Sequence, residues 1–383
     1  MMNEQNQEKS KTLSIVIPCY NEEGTLAECV RRVLAIADES LSLEIIIVDD
    51  ASSDSSLSHA RELEADHPEI VVLNHHKNQG KGAALRTGFA RATGDYVVVQ
   101  DADLEYDAND LKRLIAPLIQ DRADVVLGSR FLSPGAHRVF HFWHFMGNRL
   151  LTFLSNMFTD LNLTDMEACY KAFKRRIIQG IDIRENRFGF EPEIVAKIAH
   201  QRLRIYEIGI TYYGRTYAEG KKIGIKDGLR ALYCIFRYNA HRAPVPIQFF
   251  IYLMIGGLAA MANLAIFLML MHSGLSLDLA APIAYVSAAG LNYLMCILLL
   301  FRHKARWGSA AEVIMYILVV AAVGVVDLAV TKALTFLGIS PAPCKLAASL
   351  SVLVLNFLGR RFLVFPEPSS GPWGPPQALS ADE

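Results

Sequence analysis

The run Asp95-Tyr96-Val97-Val98-Val99-Gln100-Asp101-Ala102-Asp103 decides how the first half of this chain is read. Its apolar centre is short, continuous and β-branched, the pattern of a strand buried on both faces in a parallel sheet. Two carboxylates follow at once, so they leave the strand at its carboxyl end. Side chains at i and i+2 lie on one side while strand geometry persists. Hard oxygens spaced in this way suit Mg²⁺ or Mn²⁺ and leave coordination positions for diphosphate oxygens. Acidic turns are common, so the triplet alone is a weak signal. Its place after a buried strand gives it weight.

Similar runs lie on either side. Leu13 to Pro18, Leu43 to Asp49, Ile70 to Asn74 and Asp124 to Gly128 also read as buried parallel strands. Amphipathic stretches such as Glu22 to Asp38 and Lys81 to Ala92 separate them. Strand and helix in alternation predict an α/β domain, an open and mostly parallel sheet with helices on both faces and ligands at the carboxyl ends of its strands. Polar clusters duly follow strands at Tyr20-Asn21-Glu22, at Asp49-Asp50 and at the triplet. Asp50 is placed to accept hydrogen bonds from a base or ribose, and Asp54 to cap the next helix. Asn78-Gln79-Gly80-Lys81-Gly82 opens a helix, with backbone amides and the Lys81 ammonium available to an anion. The chain has neither a Walker A motif nor a complete GxGxxG, which weighs against kinase and dehydrogenase readings.

Composition changes in the second half. Four apolar segments, roughly 247–272, 279–301, 312–337 and 344–365, are each long enough for a crossing of ~20 residues. A shift of 64 residues pairs Tyr252 with Tyr316, Asn263 with Asp327, Asn292 with Asn356 and Phe301 with Phe365. Two copies of one helical hairpin are expected, each with polar side chains at membrane depth. These serve either as contacts between helices or as a path for a lipid headgroup. Arg302, His303, Lys304 and Arg306 between the hairpins, with Arg360 and Arg361 near the end, predict that both termini and the catalytic half are cytosolic. Met1 to Lys11 is polar, without the apolar core of a signal peptide.

The expected divisions are a polar tail over 1–11, a catalytic domain over 12–223, an interfacial helix and linker over 224–246, a transmembrane domain over 247–365 and a disordered tail over 366–383. A net charge of -1 gives no support for a nucleic-acid binder. Six cysteines without a CxxC pair argue against structural zinc and against a disulfide framework.

Taken in order, Ile17-Pro18-Cys19-Tyr20-Asn21-Glu22, Val48 to Asp54, Asn78 to Gly82, Gln100 to Leu104 and Gly128-Ser129-Arg130 resemble a family 2 glycosyltransferase. The similarity is to the dolichol-phosphate mannose synthase and bactoprenol glucosyltransferase type, and it covers residues 12 to about 240. The last third resembles the four-helix GtrA-like membrane domain. The resemblance implies a GT-A fold and a divalent metal, Mg²⁺ or Mn²⁺, at Asp103 with Asp101 assisting. It implies donor contacts at Pro18, Tyr20, Glu22 and Asp50, and Arg130 as a cation at the phosphate centre. Lys81 joins the donor set through its loop. In place of the Ser-Gly-Phe/Tyr-Arg and Gly-x-Ser-Lys segments common among mannose synthases stand Ala168-Cys169-Tyr170-Lys171 and Arg215 to Lys222. Arg215 and Lys222 can still clamp a diphosphate, and the donor sugar stays open between glucose and mannose.

The expected reaction is transfer of a hexose, with inversion, from UDP-glucose or GDP-mannose to an undecaprenyl or dolichyl phosphate at the cytosolic face of a bacterial or archaeal plasma membrane. Arg130 and Arg149 are the candidates to hold the acceptor phosphate, since a guanidinium fork matches phosphate. Val139 to Phe158 and Lys226 to Arg242 set apolar faces against basic flanks, as helices in a headgroup layer do. Glu191 and Glu193 read as helix N-terminal acids or as lip residues. Asn and small residues along the apolar segments suit a homo-oligomer. A processive polysaccharide synthase would need Gln-x-x-Arg-Trp, and His303 stands where the Gln should be before Arg306-Trp307. The other rival is a translocase or binding protein for a lipid-linked sugar, carrying a vestigial catalytic domain.

Overall fold

The computed structural model describes residues 11–132, 139, 141–214, 224–301, 309–338 and 353–364. The chain divides into two compact units, Met1–Tyr238 and Asn239–Glu383.

In the first unit, β1 (Lys11–Cys19), β2 (Leu41–Asp49), β3 (Ile70–Asn74), β4 (Tyr96–Val99) and β5 (Val125–Ser129) form where the apolar runs predict strands. The sheet has seven strands in the order β3-β2-β1-β4-β6-β5-β7. β1 pairs in parallel with both β2 and β4. Leu13, Ile15, Val16 and Ile17 of β1, Ile45 to Val48 of β2 and Val97 to Val99 of β4 are all 0% exposed. Successive strand side chains point to opposite faces, so unbroken burial means that both faces are covered. At roughly 1.5–3 kcal/mol for each buried aliphatic side chain, these three strands are the main apolar anchor of the unit.

Two strands were not foreseen. β6 (Lys171–Lys174) runs antiparallel between β4 and β5, and β7 (Ile205–Gly209) pairs in parallel with β5. β6 is short and has Lys at each end around Ala172-Phe173, so its sequence lacks the apolar run that marked the others. The sheet is therefore mixed, though mostly parallel as expected.

The connecting helices are α1 (Leu26–Leu34), α2 (Ser56–Asp66), α3 (Lys81–Arg91) and α4 (Asp110–Ile119), followed by α5 (Phe142–Thr159), α6 (Arg175–Gln179), α7 (Phe190–His200) and α8 (Ile225–Asn239). α1 buries Leu26, Cys29, Val30 and Val33, one face at helical spacing. α3 approaches β1 at Gly88, where an added Cβ would stand 2.3 Å from Val16 Cγ1. α5 leaves Phe142, Trp143, Leu150 and Phe153 more than half exposed, and α8 likewise leaves Leu229. Because β1, β2 and β4 are parallel neighbours, the segments after Cys19, Asp49 and Val99 emerge along one edge.

In the second unit, α9 (Val245–His272) is 28 residues long and contains an 18-residue stretch with a mean hydropathy of 2.2. Among the described residues it is the one helix long and apolar enough to cross a membrane. Phe250, Met254 and Met261 are each more than half exposed, a face that water would penalise and hydrocarbon would cover. α10 (Leu277–Met295) passes into a π-helical turn, Cys296–Phe301, and α11 spans Ser309–Phe336. Of the expected fourth segment, residues 353–364 are described; they are helical and end in a π-helical turn, Arg360–Val364.

The two π-helical turns begin 64 residues apart, at Cys296 and Arg360, which is the spacing of the sequence repeat. Arg360 is 6% exposed. Its Nε donates to Asn356 Oδ1 at 3.1 Å, Nη1 to Asn292 Oδ1 at 2.9 Å and Nη2 to the Tyr316 hydroxyl at 2.9 Å. Its guanidinium lies 5.4 Å from the Tyr252 ring centre and 4.6 Å from that of Tyr316. The repeat-related pairs Asn292/Asn356 and Tyr252/Tyr316 thus surround a single cation. The copies differ at its own position, where the first carries Cys296.

Candidate active site

Asp50 follows β2 and is 3% exposed. Its Oδ1 meets His75 Nδ1 at 2.7 Å and accepts the Gln79 N–H at 2.9 Å, and its Oδ2 accepts the Gly80 N–H at 2.6 Å. Both oxygens thus fasten the 75–80 loop against the sheet edge. Gly80 is required there, because its φ is +98° and an added Cβ would lie 2.4 Å from the Asn186 carbonyl oxygen. Asp50 therefore holds the loop that leads into α3. The cap expected of Asp54 is displaced by one residue: Ser55 is the N-cap of α2, while Asp54 Oδ1 accepts the Ser56 N–H at 3.0 Å and its Oδ2 that of Glu23 at 3.2 Å. Asn21 Oδ1 accepts the Ser53 N–H at 2.8 Å and ties the turn after β1 to the turn after β2. Tyr20 is 42% exposed beside it, Pro18 is half-buried, and Glu22 accepts the Thr25 hydroxyl at 2.8 Å.

The loop held by Asp50 delivers Lys81 to the acidic triplet. Lys81 Nζ lies 2.9 Å from Asp101 Oδ1 and 3.0 Å from Oδ2, and 3.3 Å from Glu191 Oε1 at the start of α7. Burial works against the Lys81 ammonium, yet Asp101 and the acids around it hold its pKa well above the ordinary lysine value. Asp103 Oδ1 accepts the Glu105 N–H at 3.1 Å. Between them Leu104 has φ +60°, a left-handed conformation that a leucine adopts only under constraint. The constraint is visible. The Tyr212 hydroxyl donates to Glu105 Oε2 at 2.7 Å, and the Tyr213 N–H donates to the Glu105 carbonyl at 2.8 Å. Tyr106 stacks on Tyr170 at 4.7 Å, and the Tyr170 hydroxyl donates to Gln100 Oε1 at 2.6 Å.

Arg130, after β5, is 7% exposed and forms a fork on Asp165. Nε–Oδ2 is 2.7 Å, Nη2–Oδ1 is 2.8 Å, and the Arg130 backbone N–H also donates to Oδ2 at 3.0 Å. The guanidinium lies 5.3 Å from the Tyr212 ring centre, so it shares a wall with the triplet loop. Burial would raise the Asp165 carboxyl, but Arg130 outweighs it and holds the group below the usual carboxylate range. Two of the five guanidinium N–H donors are spent on Asp165, so Arg130 is a fixed cation with donors to spare for an anion. Sequence reasoning missed Asp165, which sits in a polar stretch between α5 and β6 with no motif around it.

The triplet supplies the carboxylates of Asp101 and Asp103, and among the described residues no group of three or more His, Cys, Asp or Glu is gathered for a metal. That donor set fits Mg²⁺ or Mn²⁺, which is commonly held by one or two carboxylates while phosphate oxygens and water complete the sphere. Arg149 on α5 is exposed, 6.0 Å from the Phe145 ring centre, and no described contact joins it to Arg130. Arg215 and Lys222 lie outside the described residues.

Residues 14–181 match the family described as Glycosyl transferase family 2, and residues 251–365 match GtrA/DPMS, transmembrane domain. A dolichol-phosphate mannosyltransferase of Pyrococcus furiosus is 26% identical over 92% of this chain and 97% of its own length. A low-salt glycan biosynthesis hexosyltransferase of Haloferax volcanii is 31% identical over 57% of this chain, which spans 52% of that protein. An undecaprenyl-phosphate 4-deoxy-4-formamido-L-arabinose transferase of Sodalis glossinidius is 32% identical over 56% of this chain and 63% of its own length. Against the last two, then, this chain spans less than two-thirds of the relative. Among solved structures, glucosyl-3-phosphoglycerate synthase from Mycobacterium tuberculosis, in complex with Mn²⁺ and UDP, is similar at a TM-score of 0.47 and 17% identity, over 60% of this chain and 80% of that one.

Proposed function

We propose that the chain joins a family 2 glycosyltransferase domain to a GtrA/DPMS-type transmembrane domain and transfers a hexosyl group from a nucleotide-sugar to a polyprenyl phosphate at the cytosolic membrane face. The observation that carries this reading is the convergence, on one sheet edge, of Asp101 and Asp103, the loop bearing Lys81 and the fixed cation Arg130.

The reaction is one displacement. An oxygen of the acceptor phosphate forms a bond to the anomeric carbon as the bond from that carbon to the diphosphate oxygen breaks. Nucleoside diphosphate leaves and the sugar's configuration inverts. The acceptor is already anionic at neutral pH, so no strong general base is needed. The demand is electrostatic: two anions must be aligned and the charge of the leaving group must be met. A divalent ion on Asp103, with Asp101, would supply charge neutralisation at the diphosphate. Arg215 and Lys222 belong to the same task. Arg130, held rigid by Asp165, meets the acceptor phosphate, with Arg149 as second cation. Pro18, Tyr20 and Glu22 border the nucleoside, and Asp50 keeps Gly80 and Lys81 in place beneath the donor.

The test uses the full chain in detergent with Mn²⁺ or Mg²⁺ and a short polyprenyl phosphate. Labelled UDP-glucose and GDP-mannose, then a wider donor panel, are offered separately, and label is counted in the organic phase. Metal-dependent labelled lipid that disappears in Asp103→Ala is the expected result. No labelled lipid from any donor would sink the reading and bring the translocase forward.

A further inference from the structure

Most buried acids of the catalytic unit spend both carboxylate oxygens on the fold. Asp50 and Asp165 do so as described. Glu185 accepts from Arg230 and Tyr238, Glu193 from the backbone of Arg184 and Glu185, and Glu207 from the backbone of Thr164 and Asp165. Three acids depart from this rule, the first being Asp49 at the end of β2, whose buried Oδ1 has no partner. Glu191 is 4% exposed; one oxygen is near Lys81, and the other, Oε2, is buried with no hydrogen-bond partner. Glu167 likewise has a buried Oε1 with no partner. Burial first, then the charge of Glu191, pushes the Glu167 carboxyl up to about 8, so the two groups lie within each other's field. Lys171 fixes the turn that carries Glu167, its Nζ donating to the carbonyls of Met166, at 3.0 Å, and Ala168.

A buried acceptor left without a donor is costly, and a fold that tolerates two in one place leaves room for donors from outside. Their position narrows the choice. Lys81 connects Glu191 directly to Asp101, so Glu191 lies next to a residue assigned to the diphosphate. A phosphate offers acceptors rather than donors, and an isoprenoid chain offers neither. A glycosyl group offers several O–H donors in fixed array, attached directly to the diphosphate. Acceptor oxygens are what such hydroxyls require. We propose that Glu167 and Glu191 read hydroxyl groups of the transferred sugar and so help set donor specificity. This rests on the transferase reading above and assigns its sugar subsite.

The test compares Glu191→Gln and Glu167→Gln with wild type, as full chains in detergent, with Glu191→Asp and Glu167→Asp as second variants should a glutamine disturb folding. Calorimetry measures binding of each nucleotide-sugar in the panel and of the matching nucleoside diphosphate. Transfer kinetics follow with the accepted donor and its deoxy analogues. Expected is a loss of about tenfold or more in nucleotide-sugar affinity, nucleoside diphosphate affinity within about twofold, and weaker discrimination against one deoxy analogue. Equal losses for both ligands would place the two acids at the nucleotide or in the fold and overturn the proposal. No change in either would mean that water satisfies the orphan oxygens, and would overturn it as well. A wild type that transfers normally beside such variants removes this inference alone. A wild type that binds no nucleotide-sugar removes it together with the transferase reading.

Discussion

Removing Asp165 should unfold the catalytic unit earlier and should do so because Arg130 is stranded. The Asp165 side chain is 0% exposed and that of Arg130 is 7%, so water cannot replace the lost partner. Breaking a buried pair from one side costs about 3–5 kcal/mol. At roughly 2–4 °C per kcal/mol for a domain of this size, Asp165→Ala should melt about 6–20 °C below wild type. The assay is thermal unfolding of the full chain in detergent, followed by intrinsic fluorescence. Glu28→Ala, which removes an exposed partner of Arg31 and Arg32, is the control and should melt close to wild type. Asp165→Asn keeps the shape and one acceptor and should fall between. The pH dependence has a definite sign. The folded Asp165 pKa is depressed, so its stabilisation is present above the ordinary carboxylate value and is lost as pH falls through the folded one. A shift in Asp165→Ala no larger than that of the Glu28 control would refute the claim that the pair supports this wall of the site.

Three further outcomes follow from other parts of the molecule. Asp50→Asn removes one of two accepting oxygens from the 75–80 loop, so amide exchange at Gln79 and Gly80 should quicken while the β1–β2 core stays protected; unchanged exchange there would count against the loop-holding role. Burial first, then Glu191 and Asp165, against Lys171 and Arg130, raise the folded Glu167 pKa to about 8, so stability should fall as pH rises from the ordinary carboxylate range through that value, and Glu167→Gln should flatten the dependence in a melting series. Arg360→Lys cannot reach Asn292, Asn356 and Tyr316 together, and should destabilise the membrane unit by about 1–3 kcal/mol, read as earlier unfolding in detergent; an unshifted melt would show that the repeat-built cage does not depend on the guanidinium fork.

Much of this molecule is legible without coordinates. The run Tyr96 to Val99 is unbroken by polar residues because both faces of β4 are covered, and the acids come after it because ligands gather at strand ends. The apolar length of Val245–His272 follows from the thickness of a bilayer, and the 64-residue repeat was readable as paired Tyr and Asn positions. These are local or periodic signals, and periodicity is what a sequence displays. The rest depends on which distant residues meet. Asp165 is 35 positions from Arg130, Glu191 is far along the chain from Lys81, and neither carries a mark of its partner. Asp50 reads as a ligand contact in the chain, but three donors from residues 75–80 take up its oxygens once the loop folds back. β6 has too short an apolar centre to announce itself, and its antiparallel place is set by the two strands it fills between. The reason is general: a side chain's chemistry is local, whereas the fate of a buried charge or orphan oxygen is settled by whatever the tertiary fold brings within hydrogen-bonding distance.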